Sequence, residues 1–198
     1  MIRHKIYRWS ENVGKHVGWG LPDTLNATSN RIHFNLSRLR SLVAPRVCAA
    51  VFRSLFNGWC THHLFQRRHA PTNICVFGCS CSASYSLEHY CRCPVVLRVL
   101  HRKLRVKVTP RAALRLFMLD IPRSDDNLLK CSALINYAVY NTFNAFRAKG
   151  TIRTPVVSAD ALGQALVNAV MGHPASEEFF RNRWADGVSR GPAHPAVF

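Results

Sequence analysis

The residues best suited to chemistry lie in one short stretch, Cys75-x3-Cys79, nine further residues, then His89-x3-Cys93. Zinc takes four nitrogen or sulfur ligands in a tetrahedron, typically as two close pairs joined by a loop. Three thiolates and a neutral imidazole leave such a centre with one net negative charge, which Arg67, Arg68, Arg92 and Arg98 can balance. Cys81 and Cys91 are rival ligands, because five of the eight cysteines fall between Cys75 and Cys93. A Cys79-x-Cys81 bite is tight, and His89-x-Cys91 would alternate faces in an extended chain. A site closed by four protein ligands has no position for a reacting water. The cofactor expected is therefore one structural Zn2+ per chain.

Other candidates for catalysis are weaker. Cys60 precedes His62 and His63, but adjacency in sequence is not nucleophile–base geometry. His62, His63 and His69 could supplement the zinc site or lie beside phosphate-facing arginines. Cys48 and Cys131 sit on apolar stripes and read as core thiols. Phe52, Phe56 and Trp59 could stack on bases, yet their helical spacing favours the core. The only Asp-Asp, Asp125-Asp126, follows Pro122-Arg123-Ser124 and reads as a helix start rather than a metal-binding turn. No glycine-rich phosphate loop is present. The chain is expected not to be an enzyme.

Charge points to the partner. Lys and Arg number 27 against 10 Asp and Glu, a net charge of +17. Arginine dominates, and its guanidinium bonds phosphate in bidentate fashion and stacks on bases. Residues 1–115 carry 19 basic and 3 acidic side chains, whereas 116–198 carry 8 and 7. The first half therefore reads as a polyanion-binding face and the second as a near-neutral packing unit. The side chains expected to meet nucleic acid, RNA or DNA, are Arg31, Arg38, Arg40, Arg46, Arg53, Arg67, Arg68, Arg98, Arg102, Lys103, Arg105, Arg111 and Arg115. No apolar run reaches signal-peptide or membrane-spanning length, so the expectation is an intracellular, nuclear protein with no membrane partner and no small-molecule substrate.

These residues must be positioned by helices, and the expected class is mostly α. Residues 1–29 read as a loosely ordered basic arm. A helical domain spans 30–172 with a zinc knuckle at 70–94 that allows a short hairpin, and 173–198 read as a short helix and a disordered tail. Asn30 is expected to cap a helix with the stripe Ile32, Leu36, Leu39 and Val43. Pro45 opens a second helix carrying Val47, Val51 and Leu55, stopped at Asn57-Gly58. Segment 70–93 has few large apolar residues, so metal is what would hold it. Pro94 opens another helix, and Thr109-Pro110 restarts one through Phe117 and Met118. A long helix follows Ser124-Asp125-Asp126 with the stripe Leu128, Cys131, Ile135, Ala138, Thr142 and Phe146. Ser158 is expected to cap the last helix, which stops at Gly172.

One stretch is similar to a known family. Pro45-Arg46-Val47-Cys48, then Phe56-Asn57-Gly58-Trp59-Cys60-Thr61, Phe65-Gln66, Cys75-x3-Cys79 and Leu87-Glu88-His89-Tyr90-x2-Cys93-Pro94 resemble the C-terminal zinc-binding region of non-LTR retrotransposon reverse transcriptases. The resemblance covers roughly 45–149. It implies zinc at Cys75, Cys79, His89 and Cys93, nucleic-acid handling with RNA favoured, and association with a reverse transcriptase or other retroelement protein. The His–Cys spacing is one residue shorter than in many members, and no polymerase motif accompanies it. The implied function is a non-catalytic nucleic-acid-binding domain derived from such an end. Rival readings are a zinc-stabilised protein-interaction module and a non-functional retroelement fragment.

Overall fold

The structure is a computed structural model, and it describes residues 25–56, 59, 75–81, 87–104, 115–148 and 154–171. Six helices are formed: α1 Leu25–Leu42, α2 Pro45–Leu55, α3 Leu87–Arg92, α4 Pro94–Leu104, α5 Asp126–Ala148 and α6 Pro155–Met171. No strand occurs among the described residues, so the class is mostly α, as expected. The arm before Leu25, most of the stretch between α2 and Cys75, the restart at Thr109-Pro110 and the tail beyond Met171 lie outside the described residues.

Helix α5 is the hub. Its residues from Cys131 to Asn136 are buried in an unbroken run, so no face is left to solvent there, as in a helix wrapped by others. Helices α1, α2 and α6 pack on it, α4 packs on α6, and α3 on α4. The expected stripes of α1, α2 and α5 are all buried. Asp125 caps α5, its Oδ1 accepting from the Leu128 N–H at 2.8 Å, which bears out the cap reading of the Asp-Asp pair.

Two starts differ from expectation. Helix α1 begins at Leu25, so Asn30 is an exposed interior residue rather than the cap. Helix α6 begins at Pro155, and Thr154 caps it, its carbonyl accepting from the Ser158 N–H at 3.0 Å. Ser158 is instead buried inside the helix. In both cases a usable cap residue lies inside a helix that begins a turn or more earlier.

The chain between α4 and α5 is pinned by polar groups. A helical turn at 115–117 ends with Leu119 at φ 56°. The Asp120 N–H reaches Arg115 O at 2.9 Å and the Leu119 N–H reaches Leu116 O at 3.2 Å, the Schellman pattern with leucine where glycine is usual. The left-handed conformation costs about 1–2 kcal/mol for a residue with a Cβ. Full burial of Leu119 offsets it, together with Asn35, whose Nδ2 donates to Leu119 O and Ile121 O at 2.9 and 3.0 Å. One helical turn from Asn35, Arg31 Nε contacts Asp120 Oδ1 at 2.7 Å, and Arg115 Nε contacts Oδ2 at 3.1 Å. The Asp120 carboxylate is sealed from solvent between the two guanidiniums.

A buried carboxylate with paired cations resists loss of its partners more than any exposed pair. Asp120→Ala is expected to destabilise the fold by about 3 kcal/mol, at the low end for a broken buried pair because both arginines keep some exposure. Exposed Arg40→Gln should stay within about 0.5 kcal/mol. Denaturant unfolding of the two variants checks the contrast.

Candidate metal centre

Cys75 and Cys79 come from a tight turn. The Gly78 N–H bonds Cys75 O at 2.8 Å, and Gly78 has φ 71°, a conformation that glycine alone takes without strain. The turn brings the two sulfurs to one side. His89 sits in the middle of α3, and Cys93 is the single residue between α3 and α4. Pro94 sets the entry to α4 and lacks the N–H that would be spare there. The thiol of Cys93 thereby lies at the amino end of α4, where the Val95 and Val96 N–H groups point to its sulfur.

The structure brings these four residues together. All are buried, and their ligand atoms lie within 4.8 Å of one another. Cys75 Sγ is 3.8 Å from Cys93 Sγ, and Cys79 Sγ is 3.3 Å from His89 Nε2. Tetrahedral zinc with Zn–S of about 2.3 Å and Zn–N of about 2.0 Å implies ligand separations of about 3.8 and about 3.5 Å. The four are thus close enough to hold a metal ion. Cys81 is half-buried and stands outside the cluster, although its backbone N–H bonds the Cys79 sulfur. Cys91 is fully buried elsewhere in the core.

Electrostatics divide the three thiols of the cluster. Burial pushes the Cys79 thiol up to about 11. Cys93 is drawn down to about 4, first by the hydrogen bond with Cys75, then by His89 and by the backbone N–H groups of α4. Cys75 moves strongly upward because it keeps the proton of that pair. Backbone N–H bonds from Phe77 to Cys75 and from Cys81 to Cys79 stabilise sulfur as thiolate and orient it. Glu88 forms an ion pair with Arg92 at 3.0 Å along α3.

The centre is moored to the core by rings, which the scarcity of apolar residues in 70–93 did not suggest. Phe77, between the two turn cysteines, is fully buried and meets Tyr90 and Phe146 edge-on at 5.7 and 5.9 Å. Tyr90, next to His89, meets Trp59 at 5.7 Å and Phe143 at 5.0 Å. Trp59 is a core residue, completely buried. Its Nε1 donates to Ser54 Oγ at 2.8 Å, and Ser54 donates to Asn136 Oδ1 at 2.7 Å. The signal available in sequence was the aromatic residue placed beside a ligand in each half of the motif.

The thirteen basic residues expected at nucleic acid divide by environment. Arg31 and Arg115 hold Asp120. Arg38 holds Asp126 through a two-pronged contact, Nε–Oδ1 at 2.6 Å and Nη2–Oδ2 at 2.7 Å. Arg40, Arg46 and Arg53 are exposed and lie over the rings of Phe52, Tyr137 and Tyr140. Arg98, Arg102 and Lys103 are exposed on α4 together with His101. The Lys103 stem crosses α6 at Gly163, where a Cβ would stand 2.9 Å from Lys103 Cε. Arg67, Arg68, Arg105 and Arg111 lie outside the described residues, as do Cys60, His62, His63 and His69. No helix among the described residues is long and apolar enough to cross a membrane. Comparisons with protein-family models, curated proteins and solved structures return no match.

The geometry sorts the cysteines by experiment. Cys79→Ser and Cys93→Ser should abolish metal binding, whereas Cys81→Ser and Cys131→Ser should retain it. Elemental analysis of each purified variant checks this. Because protons compete for thiolate and imidazole, bound metal should be lost as pH falls and regained as it rises.

Proposed function

We propose that the cluster holds one structural zinc ion and that the chain is a non-catalytic nucleic-acid-binding domain. The observation that carries the reading is the junction at Cys93. The last ligand of the cluster is also the first residue before α4, and α4 presents Arg98, Arg102 and Lys103 to solvent. Zinc at that junction sets the direction in which this basic face points. With a net charge of +17, the domain would bind phosphate backbone through counterion release, largely irrespective of sequence. The similarity of the Cys–Cys–His–Cys order to the retrotransposon segment supports the same reading and favours RNA. Four protein ligands leave no open coordination position, which argues against a catalytic zinc.

A second reading, a protein-interaction module, draws on Val156 and Val157 in the first turn of α6. They are 70% and 48% exposed and belong to the near-neutral half.

Protein purified without added metal should contain close to one zinc per chain. It should shift oligonucleotides with a log–log salt slope of about −0.7 per phosphate contacted on single strands and about −0.9 on duplex. Neutralising Arg98, Arg102 and Lys103 together should flatten the slope by about 2 to 3 units at unchanged zinc content. Folded, zinc-loaded protein that binds no oligonucleotide at about 50 mM salt, a regime in which phosphate contacts are strong, would overturn the reading in favour of the interaction module.

A further inference from the structure

A cleft of about 290 Å³ opens between the start of α2 and the facing sides of α5 and α6. Its floor is made of small and apolar groups, among them Ala138, Ala165 and Ala169. Its polar side chains come from all three helices. Arg46 lies over the Tyr137 ring at 5.9 Å, and Asn141 and Asn168 stand on the opposite helices. Gln164 donates to Asn168 Oδ1 at 2.9 Å on the exposed side of α6, which leaves the Asn168 amide hydrogens outside that bond. No carboxylate is among the lining residues. The cleft also receives the amino end of α2, whose cap residue Ala44 has no side chain able to bond the first turn, so the positive end of that helix is not neutralised locally.

An apolar floor with a few convergent polar groups is the usual build of a ligand site, and sites for whole drug-sized ligands start at about 300 Å³. A planar base with its sugar fits a space at that lower limit. The chemistry is that of a nucleotide. The partly exposed Ala165 and Ala169 offer an apolar face to a base, and two carboxamides read its edge. A guanidinium beside a helix amino terminus takes the phosphate.

We propose that this cleft holds one unpaired nucleotide of a single-stranded nucleic acid, with its base on the alanine floor and its phosphate at Arg46. The proposal rests on the nucleic-acid reading above and deepens it. The α4 face grips the backbone without regard to strandedness, whereas the cleft demands a base that is free to leave its stack. Arg46 thereby moves from a diffuse basic surface to a specific role, with Tyr137 holding its guanidinium in place.

The test uses the full zinc-loaded chain. Adenosine and cytidine 5′-monophosphate are titrated against it by amide chemical shifts, and a short single strand and its duplex are titrated separately. Saturable shifts at Tyr137, Ala165 and Asn168 are expected with the mononucleotides. Ala169→Leu, which fills the floor, and Arg46→Gln, an exposed change that leaves folding intact, should each weaken single-strand binding about tenfold, the scale of one lost stacking contact. Neither should change duplex binding by more than the loss of a single phosphate contact. Shifts confined to α4, or single-strand affinity unchanged in both variants, overturn the cleft and leave the backbone-binding reading standing. Mononucleotide binding in the cleft without any oligonucleotide binding overturns the strand proposal and the nucleic-acid reading together, and marks a free-nucleotide site.

Discussion

Three thiols and an imidazole enclosed in one protein interior cannot all take their metal-binding protonation state without a cation among them. Burial raises Cys79, and Cys75 keeps its proton so that Cys93 can lose its own. Without a cation the cluster is therefore held by the protons that Cys75 and Cys79 keep and a few N–H bonds, which is a weak way to fix a loop. A divalent ion would displace those protons and turn four separate burial costs into four attractive contacts. The turn at Cys75–Gly78, the position of α3 and the entry angle of α4 would all feel this exchange, since each contributes or flanks a residue of the cluster.

The site is not an appendage. Phe77 and Tyr90 carry it into the ring cluster of Trp59, Tyr140, Phe143 and Phe146. From Trp59 a buried polar path runs through Ser54 and Asn136 to Phe117 O, the last step at 3.1 Å. Each group on that path would be costly to leave unpaired in a low dielectric. The ligand turn, α2, α5 and the 115–121 turn are thus mutually constrained. A metal ion held by the cluster would bear on the orientation of α5 as well as on the segment that supplies the four residues.

Charge is handled by the same folding back of the chain. Counted along the sequence, Arg31 to Arg115 holds a single acid, Glu88. In space, Asp120 and Asp126 from the near-neutral half return to Arg31, Arg115 and Arg38. The two halves are therefore not structurally separate: α5 lies against α1 and α2, and α6 lies against α4. Among the described residues, the exposed cations include those of the α4 face and the ring-supported arginines Arg40, Arg46 and Arg53.

The helical class, the buried stripes of α1, α2 and α5, the Asp125 cap and the four clustered ligands were legible in the residues themselves. Each is a local code: a 3.6-residue period, a carboxylate before a helix, or paired cysteines at turn spacing. The starts of α1 and α6 were not legible, because Asn30 and Ser158 are good caps by residue type yet lie inside their helices, and at α6 the rival cap Thr154, followed by Pro155, is the one used. Tertiary structure also set Cys91 in the core and Cys81 at its edge, outside the four-residue cluster. It made anchors of Phe77 and Tyr90, and it set three of the basic residues expected at phosphate against buried or half-buried carboxylates. These outcomes depend on which groups meet from opposite ends of the chain. Burial is what makes an unpaired charge or amide too costly to leave alone, and no local spacing in the sequence records it.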